Sequence, residues 1–245
     1  MIRVEASLAK TVQPESRWRS VFEPLTTILM LGFAAVFVWQ GWTRSSSPQP
    51  ARARLLDVPR DPIPIVAAPI RGVQTARIAI VVYSDFQCPF CGAVARDTLP
   101  MLIRDYVDTG KVLLAFKHLP LAIHPLAPGA AAAAVCAAQQ GRFWQMHDRL
   151  FMEPIRLADS DLRSAAVQAG VDLNIYDFCR AGESAAEIVE ADKSHAESLG
   201  ITGTPTFLFG TVASEGTVRA TDVLTGAKPI AVFRQILDRL LRQRT

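Results

Sequence analysis

The hydrophobic positions of the chain change their spacing twice. From Pro24 to Thr43, 20 residues pass without a charge between Glu23 and Arg44, and Ile28 to Trp39 is almost wholly apolar. At ~1.5 Å per residue in a helix, such a run matches the hydrocarbon thickness of a bilayer. Trp18 on one side and Trp39 and Trp42 on the other suit interfacial anchors. Ser45-Ser46-Ser47-Pro48-Gln49-Pro50 follows, and prolines at 59, 62, 64 and 69 keep the chain extended until about Gly72. This predicts an N-terminal segment (1–23), a single transmembrane helix (24–43), a Pro/Ser-rich linker and lead-in (44–71) and one folded domain (72–245).

Within the domain the runs are short. Arg77 to Tyr83 is β-branched and apolar, as in a strand buried on both faces. Pro89 fits a first helical turn, Ala93 to Val107 continues it, and Asp108-Thr109-Gly110 stops it. Lys111 to Phe116 reads as a second strand, completing a β-α-β unit. The stretch 125–199 is helical: alanine-rich from Ala127 to Gln140, again from Arg142 to Phe151, with further starts at Asp159-Ser160-Asp161 and Asp172 and a left-handed cap at Gly200. Thr206 to Phe209 is a third strand, a hairpin through Ser214-Glu215-Gly216 leads to a fourth at about Thr217 to Leu224, and Ile230 to Leu241 is an amphipathic closing helix. The fold class is α/β with a helical insertion.

With half of its 245 residues hydrophobic, the chain can fill such a core. After Arg44 there are 21 basic and 20 acidic residues. That balance argues against a nucleic-acid partner, which needs a concentrated basic face. Two other readings of 24–43 compete with an uncleaved anchor: a cleaved signal peptide, for which Trp39-Gln40-Gly41-Trp42 offers no good small-residue site, and a buried core helix. Four arginines and lysines precede the run (Arg3, Lys10, Arg17, Arg19) and four arginines follow it (Arg44, Arg52, Arg54, Arg60), so charge does not orient it.

The chemistry centres on Cys88-Pro89-Phe90-Cys91, between a buried strand and a helix. In that context the first sulfur faces unpaired backbone N–H groups and the positive end of the helix dipole, which stabilises a thiolate. Cys88 is the expected nucleophile and Cys91 the resolving thiol. Half of a zinc site and an ordinary structural bridge are the alternatives, but Cys136 and Cys179 stand 43 residues apart in separate predicted helices and no His-x-x-x-His pair is present. No metal or cofactor is expected. Gly203-Thr204-Pro205-Thr206 precedes an apolar strand, and a cis Thr204-Pro205 bond there would set the backbone beside the dithiol and leave an edge for an extended substrate. A trans proline in a turn is the plainer reading.

Ser84 to Cys91, Gly141 to Phe151 and Gly200 to Phe207 together resemble the DsbA-like branch of the thioredoxin superfamily, over roughly Ala68 to Leu241. The resemblance implies a thioredoxin-like fold with an inserted helical domain, a redox-active disulfide, a cis-proline loop at Pro205, and a substrate groove shaped by Pro89, Phe90, Thr204 and Pro205. It also implies protein substrates with thiols or disulfides, a membrane redox partner that recycles the dithiol, and a catalytic domain on the periplasmic side of a bacterial inner membrane. Strongly oxidising relatives carry histidine where this chain has Phe90, which gives a thiolate less help. Disulfide formation is the favoured activity, with reduction or isomerisation in the same fold and a non-catalytic, chaperone-like binding module as alternatives.

Cys136 and Cys179 read either as buried inert thiols or, in an oxidising compartment, as a structural bridge. Asp85 and Lys117 read as solvated strand-end charges or as assistants to proton transfer from Cys91. His118, His124, His147 and His195 show no metal or triad spacing, and Phe143, Trp144, Met146 and Phe151 fall at helical core spacing.

Overall fold

The computed structural model describes residues 57–152, 156–213 and 216–243. The apolar run Pro24 to Thr43 and the Ser214-Glu215 part of the hairpin lie outside them. Among the described residues no helix is long and apolar enough to cross a membrane.

Among the described residues six strands form one sheet in the order β1-β6-β5-β3-β4-β2. At its centre lie β3 (Ile78–Ser84) and β4 (Val112–His118), paired in parallel from Ile78↔Val112 to Ser84↔His118 and buried at every residue. The continuous β-branched and apolar runs require this, because each strand is covered on both faces. Ile80, Val82, Leu114 and Phe116 face one core, shared with Phe207, Phe209 and the helices of the insertion. Ala79, Val81, Tyr83, Leu113 and Ala115 face a second, smaller core on the other side. Each fully buried Val, Leu or Ile contributes about 1.5–3 kcal/mol relative to exposure.

β5 (Thr206–Ala213) runs antiparallel to β3, and β6 (Thr217–Thr225) antiparallel to β5. Their register shifts between Phe209 and Gly210, where a side chain on Gly210 would place Cβ 2.0 Å from the Arg219 carbonyl oxygen. Only glycine allows that approach.

The fold begins earlier than Gly72. β1 (Ile63–Pro64) pairs with β6 and β2 (Ile70–Arg71) with β4, so part of the expected lead-in adds a strand to each edge of the sheet. Ile63 and Ile65 are buried in the smaller core, which holds the segment in place.

After β3 the chain turns at Cys88 into α1 (Pro89–Ala93), a widened π turn (Val94–Thr98), α2 (Leu99–Leu102) and a second widened turn (Ile103–Val107). A regular helix was expected here. Pro100 lacks an N–H and its ring crowds the carbonyl of Arg96 in α geometry. The turn before it accordingly opens, with the Leu99 amide donating to Val94 five residues back. Gly110, at φ 73°, closes the run.

The insertion comprises α3 (Ala127–Ala138), α4 (Phe143–Met152), α5 (Asp159–Gln168), α6 (Leu173–Ala181) and α7 (Ser184–Ser198). The Asp172 side chain caps α6 by accepting from the Asn174 and Ile175 amides. Cys136 of α3 and Cys179 of α6 are bridged. The closing helix α8 (Ile230–Arg242) buries Phe233, Leu237 and Leu240 against the main core.

Candidate active site

Cys88 caps α1 at the C-terminal end of β3, with φ −73° and ψ 122°, and Pro89 takes the first helical position, where a missing N–H leaves no partner wanting. Both Cys88 and Cys91 are free thiols and both are buried, whereas Phe90 between them is 62% exposed. The Thr204-Pro205 bond is cis. The Cys88 thiol donates to the Thr204 carbonyl oxygen at 3.5 Å, so the two segments that the sequence singled out meet at one sulfur. Thr206 Oγ1 donates to the Gly203 carbonyl at 2.7 Å and pins the turn.

The two sulfurs titrate in opposite directions. The Cys91 thiol does most to hold Cys88 down, to about 5, with the backbone N–H groups of Cys91 and Phe90 assisting against the opposing effect of burial. Burial first, and then the Cys88 sulfur, push the Cys91 thiol far above the ordinary range, although the Ser84 hydroxyl and the Asp85 amide partly offset this. A thiol that ionises readily and one held protonated are thus distinguished by their surroundings. The thiolate is stabilised with Phe90 in place of a histidine, through groups that any Cys-x-x-Cys at a helix start can supply.

The carboxylate of Asp85 is fully buried and accepts four hydrogen bonds, from the amides of Gln87 (2.7 Å), Cys88 (3.2 Å) and Leu121 (2.8 Å) and from His124 Nδ1 (2.7 Å). Gln87 in turn accepts from the Leu126 amide at 2.7 Å. Asp85 therefore clamps the dithiol loop to the loop after β4. Lys117 donates to Asp192 Oδ1 at 2.7 Å, and Asp192 Oδ2 accepts from the His118 amide at 2.9 Å. Neither Asp85 nor Lys117 is the solvated strand-end charge that its position suggested, because each is buried and paired. The Asp at the start of Ser84-Asp85-Phe86-Gln87 does carry a readable signal, since aspartate commonly accepts from amides two and three residues on. Asp192 and Gln87 were not picked out by sequence, as a polar residue on a helix and one in a loop have no periodic mark.

Of the histidines, His195 Nδ1 meets the Tyr83 hydroxyl at 2.7 Å, and His118 is buried with neither ring nitrogen hydrogen-bonded. Burial lowers His118 to about 4, so it is neutral. His147 packs among Phe86, Phe116, Trp144 and Phe151. Phe143, Met146 and Phe151 are core as expected, and Trp144 is partly buried against them. Among the described residues no group of three or more His, Cys, Asp or Glu is placed to hold a metal ion.

Residues 66–224 match a protein-family model described as Thioredoxin. Among solved structures, alpha-DsbA1 of Wolbachia pipientis superposes with a TM-score of 0.65 at 23% identity, covering 74% of this chain and 94% of the other. BdbD of Bacillus subtilis, in its oxidised form, superposes with a TM-score of 0.61 at 20% identity over 74% of this chain and 99% of the other. Curated relatives include the Na(+)/H(+) antiporter NhaA 3 of Salinispora tropica, 37% identical over 139 residues, and NhaA 1 of Mycolicibacterium gilvum, 35% identical over 185 residues. These alignments take in 56% and 72% of this chain but only 21% and 28% of the antiporters, so the chain spans roughly a quarter of the length of the curated relatives it matches.

Proposed function

The chain belongs to the thioredoxin family, and on that premise we propose that it is a thiol:disulfide oxidoreductase that introduces disulfides into substrate proteins through Cys88 and Cys91. A substrate thiolate attacks the Cys88 sulfur of the enzyme disulfide, the Cys88–Cys91 bond breaks, and its electron pair leaves on Cys91, which takes up a proton. The second substrate thiolate then attacks the substrate sulfur of the mixed disulfide. A substrate disulfide forms and Cys88 departs as a thiolate.

The oxidising direction is supported by the surroundings of Cys88, where the Cys91 thiol and the backbone N–H groups at the helix start favour its thiolate. Whatever stabilises the Cys88 thiolate stabilises the reduced enzyme, which makes its disulfide the more oxidising partner and Cys88 the better leaving group. Reduction or isomerisation uses the same residues in reverse and is the second reading. The exposed Phe90 and the Thr204-Pro205 turn beside Cys88 supply the surface on which an extended substrate would lie. Two features support a workplace outside the cytoplasm and an anchor in a membrane: the Cys136–Cys179 bridge, a modification of oxidising compartments, and the uncharged run from Pro24 to Thr43. A membrane redox partner would then reoxidise the dithiol. Ion antiport is not part of the reading, since the antiporters share only a minor part of their length with this chain.

Replacing Cys91 with serine should trap mixed disulfides between Cys88 and substrate proteins. Binding of unfolded chains without any covalent trap would instead indicate a chaperone-like module. Titration of the dithiol against glutathione sets the direction: a potential near about −120 mV supports the oxidase, and one near about −270 mV overturns it in favour of the reductase.

A further inference from the structure

Beneath the dithiol lies a cavity of about 10 Å³ lined by Ser84, Cys91, Phe116, His147, Phe151 and Pro205, among others. It has the size of a single water site, and Ser84, Cys91 and His147 are the residues with polar side-chain groups in an otherwise apolar lining. Among the residues that line it, His147 is the one titratable group besides Cys91. His147 Nδ1 lies 2.8 Å from Asp148 Oδ1. A carboxylate only accepts, so Nδ1 carries the proton in that bond and Nε2 is left as an acceptor. The Asp148 side chain is 66% exposed while that of His147 is 2% exposed, and Asp148 opens onto a surface groove shared with Arg71, Arg96 and Arg104. The histidine thus shares a small cavity with the Cys91 side chain and pairs with a carboxylate in solvent.

We infer that His147 is the proton relay of Cys91, taking the thiol proton through a water in this cavity and passing it by way of Asp148 to solvent. The inference rests on the oxidoreductase reading and assigns it a residue that the sequence marked only as structural. Cys91 cannot attack as a thiol, and in its buried position it does not ionise unaided. In the relay the Cys91 S–H gives its proton to the water, and the water gives one of its own to His147 Nε2. The imidazolium releases its Nδ1 proton to Asp148 and thence to bulk water. The Cys91 thiolate then attacks the Cys88 sulfur of a mixed disulfide, the Cys88–Cys91 bond forms, and the partner sulfur leaves with the electron pair. In the oxidising direction the same path returns a proton to Cys91.

The charged and titratable groups around His147 come from three other elements: Cys91 on α1, Arg71 on β2, and His118 on β4, which is neutral. Burial lowers the His147 pKa, Asp148 opposing, so the ring is an unprotonated acceptor at neutral pH.

The test uses full-length protein carrying glutathione on Cys88, with H147Q, H147F and D148N beside the wild type. Two rates are followed from pH 5 to 9: alkylation of Cys88 in the reduced protein, and release of glutathione by Cys91. The relay predicts unchanged Cys88 alkylation in all variants. It predicts glutathione release slowed roughly tenfold or more at pH 7 in H147Q and H147F, less in D148N, the gap closing toward pH 9 as hydroxide takes over. Release at the wild-type rate in H147Q, or alkylation and release falling together at every pH, overturns the relay in favour of a packing role. Should H147F fail to fold, D148N, at an exposed position, still decides, because unaltered release there removes the exit of the path. If wild-type protein forms no glutathione adduct on Cys88, the underlying oxidoreductase reading falls as well, an outcome distinct from a failed relay.

Discussion

His124 Nδ1 stands 2.7 Å from Asp85 Oδ2, and through that contact the segment leading to Cys88 is tied to a loop on the next strand. The same carboxylate holds the amides of Gln87, Cys88 and Leu121. Asp85→Ala removes the acceptor from three backbone donors and a ring. Each donor left buried without a partner costs about 1–3 kcal/mol, less where water can enter. The variant should lose roughly 2–4 kcal/mol of stability by urea denaturation. Asp85→Asn, which keeps one acceptor oxygen, should lose less. Equal stability of Asp85→Ala and wild type would show that the loop holds without the clamp.

Cys88 reactivity should follow its lowered pKa. Alkylation by iodoacetamide, read as a function of pH, should have its midpoint near 5.

The same shift makes the stability of the reduced protein depend on pH. The folded Cys88 pKa lies below that of an unfolded thiol, about 8.5, so the contribution is full above that value and is lost progressively as pH falls through about 5. The stability of the reduced form relative to the oxidised form should therefore increase from pH 4.5 to pH 7.5. Denaturation of both forms at the two pH values measures it, and a fall in the stability of the reduced form minus that of the oxidised form over that interval would contradict the assigned pKa.

The bridge between Cys136 and Cys179 closes a segment with a sequence separation of 43 and ties α3 to α6. Replacing both with alanine should cost about 2–4 kcal/mol while leaving Cys88 alkylation unchanged. Thiol counting in denaturant should find two free thiols before reduction of the reduced-dithiol protein and four after.

Lys117 and Asp192 are buried together, with side chains 10% and 9% exposed. Asp192→Ala strands an ammonium and the His118 amide and should cost about 3–5 kcal/mol. Lys117→Met paired with Asp192→Asn should be far milder, since the His118 amide keeps an acceptor and no charge is left unpaired. A double-mutant cycle by thermal melting separates the two outcomes.

The central β-α-β unit and the helical insertion could be read from the chain, because continuous β-branched runs, capping residues and punctuating prolines are local signals, whereas the meeting of Cys88 with the Pro205 turn followed only from the family resemblance. β1 and β2 could not. Two residues each, they carry no periodicity, and their pairing is set by partners on β6 and β4 that are far away in sequence. The widened turns around Pro100 depend on how one ring meets one carbonyl, which a helical pattern does not encode. Asp85 and Lys117 were noticed for their charge and read either as solvated or as partly buried near the dithiol, since burial follows from the loops and helices that fold over them. His147 sits on the apolar face of an aromatic helix and looked like core; only the cavity it shares with Cys91 distinguishes it.

The lead-in segment touches both edges of the sheet, through Ile63–Pro64 on β6 and Ile70–Arg71 on β4. Mechanically it is a strap fastened by two short clasps. A pull on the chain from the side of Asp57 loads the two-residue β1 contact first and the β2 contact next, before any tension reaches β3. Each clasp is two residues long, and the burial of Ile63 and Ile65 keeps the first one seated, whereas β3 is paired on both sides from Ile78 to Tyr83. The position of Cys88 relative to Pro205 is set behind that strap, where β3 and β5 pair directly.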